Sequence, residues 1–377
     1  MTVERLQRGV SIGLVAFALA MLAYPAVRLF WDFEIDYNEG WNAVHQARAI
    51  AGQPLYGSAS PLFFNNYPPL SFYLIGGLGS VLGDSVRTGR LVSLLSLLVV
   101  GACCYGVIRA SGARRAHGLV ALATCLGLFA LRAPDYVAMN DPQLLAQAFL
   151  CVGLLVYVRH RQSPGIAASV PLWFALGLLT KHNVLLVPLL VSAHVLLSAS
   201  PRVRLWYSCS AVGLVFAVVI TLYCVHGSAF FHALAAPRVY DLRRALPLTV
   251  DFLVSVWLPM GPVLLGLIAA HTLSLARWVS AYLALSVLLG AALSGGAGVD
   301  VNVFFDAFIA MALGAGLIAQ WLSTPERAPR LALAFALVAN AGVLAATPSQ
   351  LARLTPSGLA ALDQTERRFQ ADVAYLQ

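Results

Sequence analysis

The chain has 377 residues, of which 60% are apolar and only 11% charged, with a mean hydropathy of +0.80. That balance excludes an ordinary soluble domain and calls for a polytopic membrane protein with room for about ten or eleven spans of roughly 20 residues. The formal charge of +8 does not mark a nucleic-acid binder, because the arginines sit in short connections between apolar runs, where they act as topology signals and anionic-lipid contacts.

The first span is expected over about 10 to 30 as an uncleaved helix, with Arg5 and Arg8 held on the cytoplasmic side. After it the sequence turns polar, acidic and Pro-rich from Phe30 to Leu70. Four carboxylates, Asp32, Glu34, Asp36 and Glu39, fall within this loop's first ten residues. The short apolar piece from Pro68 to Leu82 is broken by Pro68-Pro69, Gly76-Gly77 and Gly79, and is expected to lie in the interface or to re-enter on the same face.

The remaining spans are expected at about 91–108, 118–131, 143–158, 166–180, 183–199, 205–226, 251–275, 279–294, 302–322 and 331–346. This arrangement leaves Arg109, Arg114, Arg115, Arg159, Arg161, Arg202, Arg204, Arg277, Arg327 and Arg330 inside. Of the 16 carboxylates it leaves only Glu4 and Glu326 there. The expected fold is thus an all-α membrane protein with about 11 transmembrane helices and interfacial helices in a large first outer loop. Residues 1–347 would form one transmembrane module, with 31–90 as its outer catalytic loop. Residues 348–377 would form a short outer tail, read either as an interfacial helix or as the start of a larger outer domain absent from this chain.

The six cysteines, Cys103, Cys104, Cys125, Cys151, Cys209 and Cys224, lie inside apolar runs without metal-ligand spacing and read as small core or lipid-facing side chains. After Asp36 the pattern is helical up to Gly52-Gln53-Pro54. It puts Trp41, Val44, Ala47 and Ala51 on one stripe, with Asn42, His45, Gln46 and Arg48 on the other faces. Such a helix would lie flat at the outer interface.

Asp36 and Glu39, three apart, fit a capping box at its start. They equally fit a pair of carboxylates one of which accepts a proton from an attacking hydroxyl. Arg90, Arg132, Lys181, Arg238, Arg243 and Arg244 are available on the same face to hold a phosphate.

Asp36-Tyr-Asn-Glu39-Gly40, Gly52-Gln-Pro-Leu-Tyr56, Tyr67-Pro-Pro-Leu70 and Arg90-Leu91 together resemble the first outer loop of the GT-C superfamily of polytopic glycosyltransferases. The likeness is to the family 39 branch of protein O-mannosyltransferases and aminoarabinose transferases. It continues at Asn140-Asp141-Pro142, Gly177-Leu-Leu-Thr-Lys181 and Gly298-Val-Asp300-Val-Asn302. The resemblance implies transfer of a sugar from a polyprenyl-phosphate donor to a lipid, glycan or protein acceptor on the outer, periplasmic face of a bacterial inner membrane, with inversion. It places Asp36 as base or acceptor-orienting carboxylate and Glu39 as its acidic partner. Family members often carry these two residues side by side, whereas here they are spaced, which leaves the choice of base open. The family's basic residue before Pro-Pro-Leu is Tyr67 here, so phosphate binding would pass to Lys181 or the arginines.

Asp141 before Pro142 reads as a helix N-cap or as a second acidic group near the sugars. Lys181 either snorkels to the interface or meets the donor phosphate, with His182 beside it. Arg238, Arg243 and Arg244 are a headgroup-facing cluster or a leaving-group site. Asp300 and Asn302 are candidate cavity residues, as is Asp306. No cofactor is expected. Asp300-Val-Asn302 and Asp32-Phe-Glu34 only approximate a metal-binding pair, so metal-independent transfer is the expectation. The competing reading is a transporter or lipid flippase with an acidic outer vestibule. Apart from His194, however, the span centres carry almost no ionisable groups.

Overall fold

A computed structural model describes residues 3–57, 64–324 and 329–376. Helices α1 (Val3–Met21) and α2 (Ala23–Arg28) form one apolar rod. The first loop carries α3 (Tyr37–Ile50) and α4 (Leu70–Leu82). Next come α5 (Ser85–Ala110), α6 (Arg115–Arg132), α7 (Gln143–His160), the single turn α8 (Pro164–Ala167), α9 (Val170–Thr180) and α10 (Leu186–Ser198). The long α11 (Pro201–Leu234) is broken at Gly227, whose φ is 63°. Helices α12 (Leu242–Ala269) and α13 (Ser274–Leu293) lead through a 3-10 turn (Val301–Phe304) into α14 (Phe305–Leu322). The chain ends in α15 (Pro329–Ala339), α16 (Ala341–Ala352) and α17 (Pro356–Leu376). No strand occurs among the described residues; a single bridge joins Tyr240 to Gly296.

Among the described residues eight helices are long and apolar enough to cross a membrane, or nine if α15 and α16, bent by 46°, make one span. The protein is an integral membrane protein, but the expected count of eleven is not confirmed. Pro164–Thr180 and Leu186–Ser198 fill two of the expected spans with apolar helix. At 1.5 Å per residue they reach only about 20–25 Å, against a bilayer core of about 30 Å. Glu326 and Arg327 of the expected inner set lie outside the described residues.

The core is built around α14, an Ala- and Gly-rich helix buried along almost its whole length and packed against α5, α6, α12, α13 and α15. Small side chains let the neighbouring backbones come close, which is how helices associate where lipid removes the hydrophobic drive. Cys103, Cys104, Cys125 and Cys151 are buried in this core, while Cys209 and Cys224 are exposed on α11. Asp306 is also buried, and accepts a 2.6 Å hydrogen bond from the Tyr282 hydroxyl on α13, so it stitches two helices together instead of facing a polar cavity.

Helix α3 turns its polar face inward, a direction that the two-faced pattern leaves open. Its buried residues are Glu39, Asn42, His45, Gln46 and Ala49, whereas Val44 and Ile50 are exposed. The polar side chains turn inward because they have partners there: Asn42 Nδ2 donates to Asn140 O at 2.9 Å, and Gln46 Nε2 to Asn140 Oδ1 at 2.9 Å. Gly76 lets α4 lie against α3, since a Cβ at that position would stand 2.8 Å from Gln46 O. The expected tail is helical in α16 and α17, and Phe369 of α17 packs against Phe33 of the first loop with ring centroids 6.1 Å apart.

Candidate active site

Asp36 ends an extended segment and caps α3, its Oδ1 accepting from Asn38 N at 2.9 Å. Glu39, on the same first turn, reaches back to Ile35 N at 2.8 Å, one residue beyond the usual capping-box partner, the Asp36 amide. The two carboxylates then part company. Glu39 is 0% exposed and takes a bidentate pair of bonds from the equally buried Arg90, whereas Asp36 stays half-exposed. No further hydrogen bond or ion pair engages the Asp36 carboxylate among the described residues.

Arg90 has no donor to spare for a ligand. Its remaining N–H groups bond to Arg28 O, Trp31 O and Phe33 O at 3.1, 2.8 and 2.7 Å. Glu39 Oε1 also accepts from Asn140 N at 2.8 Å. Glu39 and Arg90 therefore hold the loop in shape and present nothing to a substrate, in contrast with the catalytic and binding roles expected for them.

Asp141 and Lys181 are likewise occupied. Asp141 Oδ1 accepts from Gln143 N at 2.8 Å at the start of α7, and Lys181 Nζ lies 3.3 Å from both carboxylate oxygens. The Lys181 ammonium also sits 4.7 Å from the centre of the Tyr67 ring. Burial works against the charge of Lys181, but Asp141 and Tyr67 outweigh it, and its pKa stands above the ordinary 10.5. Tyr67 packs edge-on against Trp41 of α3, which links this pair to the helix that Asp36 caps. His182 is held neutral, its pKa pushed down to about 4 by burial and then by Arg238 and Lys181. Its Nδ1 is buried without a hydrogen-bond partner among the described residues.

Three loops meet above this group. Asp241 N donates to Gly295 O at 2.8 Å and Ala297 N to Val239 O at 2.9 Å, which ties the connection before α12 to the one after α13. That tie sets exposed Arg238, Arg243 and Arg244 beside exposed Asp300 and half-buried Asn302. The Tyr37 hydroxyl comes within 3.9 Å of where a Cβ on Gly298 would stand, so the first loop reaches the same place. The Tyr37 pKa is raised by burial and then by Asp36, Tyr67 and Asp300, with Arg244 opposing them. Asn302 Oδ1 is another buried acceptor without a partner among the described residues.

Sequence reasoning missed Arg28 and weighed Glu34 only as one of the first-loop carboxylates and in an approximate metal-binding pair. Arg28 closes the first span, is buried, and bonds to Asp135, Pro134 O and Val137 O, pinning the loop before α7. A lone arginine ending an apolar run is the signal that could have found it. Glu34 lies over Gly40, where a Cβ would meet its carboxylate, and its pKa is raised by burial and then by Glu39 and Asp36. Arg132 contributes to a separate cavity of about 330 Å³ with Asp251 and Asp300. Among the described residues no three His, Cys, Asp or Glu side chains gather as a metal site needs.

Residues 66–226, less than half of the chain, match the family described as dolichyl-phosphate-mannose-protein mannosyltransferase. The matched region contains Tyr67, Arg90, Asp141 and Lys181 but not Asp36. The fold is similar to that of the oligosaccharyltransferase of Archaeoglobus fulgidus. With its crystal structure in complex with zinc and sulfate the TM-score is 0.52 at 12% identity, covering 89% of this chain and 52% of that one. With the apo form it is 0.51 at 12% identity, covering 89% and 55%. This chain thus spans about half the length of the oligosaccharyltransferase it matches. No curated protein sequence gives a significant match. The expected resemblance to GT-C glycosyltransferases of the family 39 type agrees with the family match over residues 66–226 and with the fold shared with the oligosaccharyltransferase.

Proposed function

We propose that the chain is a membrane glycosyltransferase that moves a sugar from a polyprenyl-phosphate donor to a hydroxyl-bearing acceptor, with inversion at the anomeric carbon. The observation that carries this reading is the contrast within the first-loop pair: Glu39 is consumed by Arg90, while Asp36 keeps a half-exposed carboxylate next to Tyr37, whose hydroxyl also feels Arg244 and Asp300. The acceptor oxygen bonds to the anomeric carbon as the bond from that carbon to the phosphate oxygen breaks. Asp36 takes the acceptor's proton, and the prenyl phosphate leaves with the bonding electrons.

Charge on the departing phosphate is best met by Arg238, Arg243 and Arg244, whose guanidinium groups are exposed and able to bind two oxygens at once. Lys181 adds positive potential from beneath while remaining bonded to Asp141. His182 is a neutral donor or acceptor at the same depth. Asp300, Asn302 and Tyr67 shape the sugar site. The transfer needs no metal ion in this reading. The acidic face is the outer, periplasmic one, with the N-terminus cytoplasmic, as the distribution of arginines suggests.

The test is transfer of radiolabelled sugar from a panel of synthetic polyprenyl-phosphate sugars by the purified full chain, with a membrane extract as acceptor source. Donor-dependent transfer that Asp36→Asn abolishes, in a variant that still folds and still binds donor, supports the reading. Absence of donor binding and of turnover across the panel overturns it.

A further inference from the structure

The end of the bundle opposite Asp36 contains a cleft of about 780 Å³ that the transfer reaction does not use. It lies between the last turns of α5 and α7, the first turn of α13, and His194 of α10. Along α5 the cleft begins at Val107, seventeen residues from Arg90, so at 1.5 Å per residue it stands roughly 25 Å below the Glu39–Arg90 pair.

The lining combines two chemistries. Leu154, Val158, Leu275 and Trp278 give apolar walls, and Arg159, Arg161, His160 and Gln162 give a polar mouth. An adjoining cleft shares Arg161 and Trp278 and adds Arg277, and a third, beside Arg159, adds Arg109 and Arg115. Among the described residues no carboxylate lines any of the three. Arg159, Arg161 and Arg277 are exposed, and none forms an ion pair among the described residues. Inside, the Tyr157 hydroxyl and His194 Nδ1 are 2.5 Å apart, which fixes the imidazole at the cleft wall.

Arginines in short loops are accounted for by topology alone, but topology requires neither a cleft nor apolar walls beneath the charges. A recess of several hundred cubic ångströms with unpaired guanidinium groups at its mouth and an apolar floor matches an amphiphile with an anionic head. Its place at the ends of spanning helices puts that head at the level of lipid phosphates.

We propose that this cleft binds an anionic phospholipid, its phosphodiester held by Arg161 and Arg277 and its glycerol and upper acyl segments lying against Trp278 and Leu275. The shared chemistry is phosphate recognition, and the source is the bilayer.

The test uses the full chain, delipidated in an uncharged detergent, with bound lipid counted by native mass spectrometry during titration with phosphatidylglycerol or phosphatidylcholine. The expected result is saturable binding of phosphatidylglycerol and not of phosphatidylcholine. That binding should weaken about tenfold or more in Arg161→Gln/Arg277→Gln, where two charge-assisted contacts are lost. It should be unchanged in Arg202→Gln, which removes a charge from the same end of the bundle outside the cleft. Should the double variant not fold, Arg161→Lys and Arg277→Lys keep the charge but lose the planar fork, and are expected to bind more weakly than wild type. Equal binding of the two lipids, an equal loss in Arg202→Gln, or full displacement of phosphatidylglycerol by millimolar inorganic phosphate would each overturn the proposal, the last by assigning a free-phosphate site.

Discussion

Glu39 and Arg90 form a bidentate ion pair with no accessible surface on either side chain, Nε to Oε1 at 2.9 Å and Nη2 to Oε2 at 2.6 Å. Around them the carbonyls of Arg28, Trp31 and Phe33 and the amides of Ile35 and Asn140 complete the bonding of both groups. Three segments distant in sequence are thereby locked together, and Asp36 is aimed by the lock. Removing one partner leaves an uncompensated buried charge. Arg90→Gln and Glu39→Gln should each cost about 3–5 kcal/mol. The check is thermal unfolding of the purified variants in detergent; a melting temperature unchanged by either substitution would contradict the role given to the pair.

Asp36→Asn should behave in the opposite way. Asparagine caps a helix as well as aspartate, so stability should change by no more than about 0.5 kcal/mol. Loss of the base should reduce transfer by about 10²–10⁴-fold. Asp36→Ala removes the cap as well and should cost about 1 kcal/mol in addition. Measuring transfer and unfolding on the same preparations separates the two effects.

The motif order across the chain was enough to reach the GT-C-like fold and to mark the first loop, because short motifs and apolar run lengths are both written in sequence. Which face of α3 turns inward was not legible. The period predicts a two-faced helix, but the polar face is buried because Asn140, about a hundred residues away, offers it hydrogen bonds. Likewise Asp36 and Glu39 look equivalent in sequence, and only the position of Arg90 makes one structural and leaves the other free. The span count is not confirmed around α9 and α10, where the apolar stretches form helices shorter than a bilayer core requires.

His182 gives a pH signature. Its folded pKa of about 4 lies below the ordinary 6.5, through burial and then the nearby charges of Arg238 and Lys181. The unfolded chain therefore takes up the proton first as the pH falls. The stability tied to a neutral His182 is whole above pH 6.5 and declines as the pH drops from there towards 4. His182→Asn, which cannot titrate, should flatten the dependence of melting temperature on pH in that window and leave the curve above it parallel to wild type. A wild-type slope retained in the variant would place the titrating group elsewhere.

Gly89 tests the packing that joins α5 to the loop before α7. A Cβ there would stand 1.9 Å from Asn140 Oδ1, 2.3 Å from its Cγ and 2.8 Å from its Cβ, so turning the asparagine side chain does not relieve the clash. The loop itself must move, and Asn140 N is one of the donors that hold Glu39. Gly89→Ala should therefore cost about 1–3 kcal/mol, and should lower transfer further by disturbing the support of Asp36. Gly77 on α4 supplies the control, because a Cβ there meets only Ile50 Cδ1 at 3.9 Å. Gly77→Ala should be neutral or stabilising by up to about 1 kcal/mol, as alanine generally is over glycine inside a helix. If the two variants unfold at the same temperature and transfer at the same rate, the contact between Gly89 and Asn140 does not position the site.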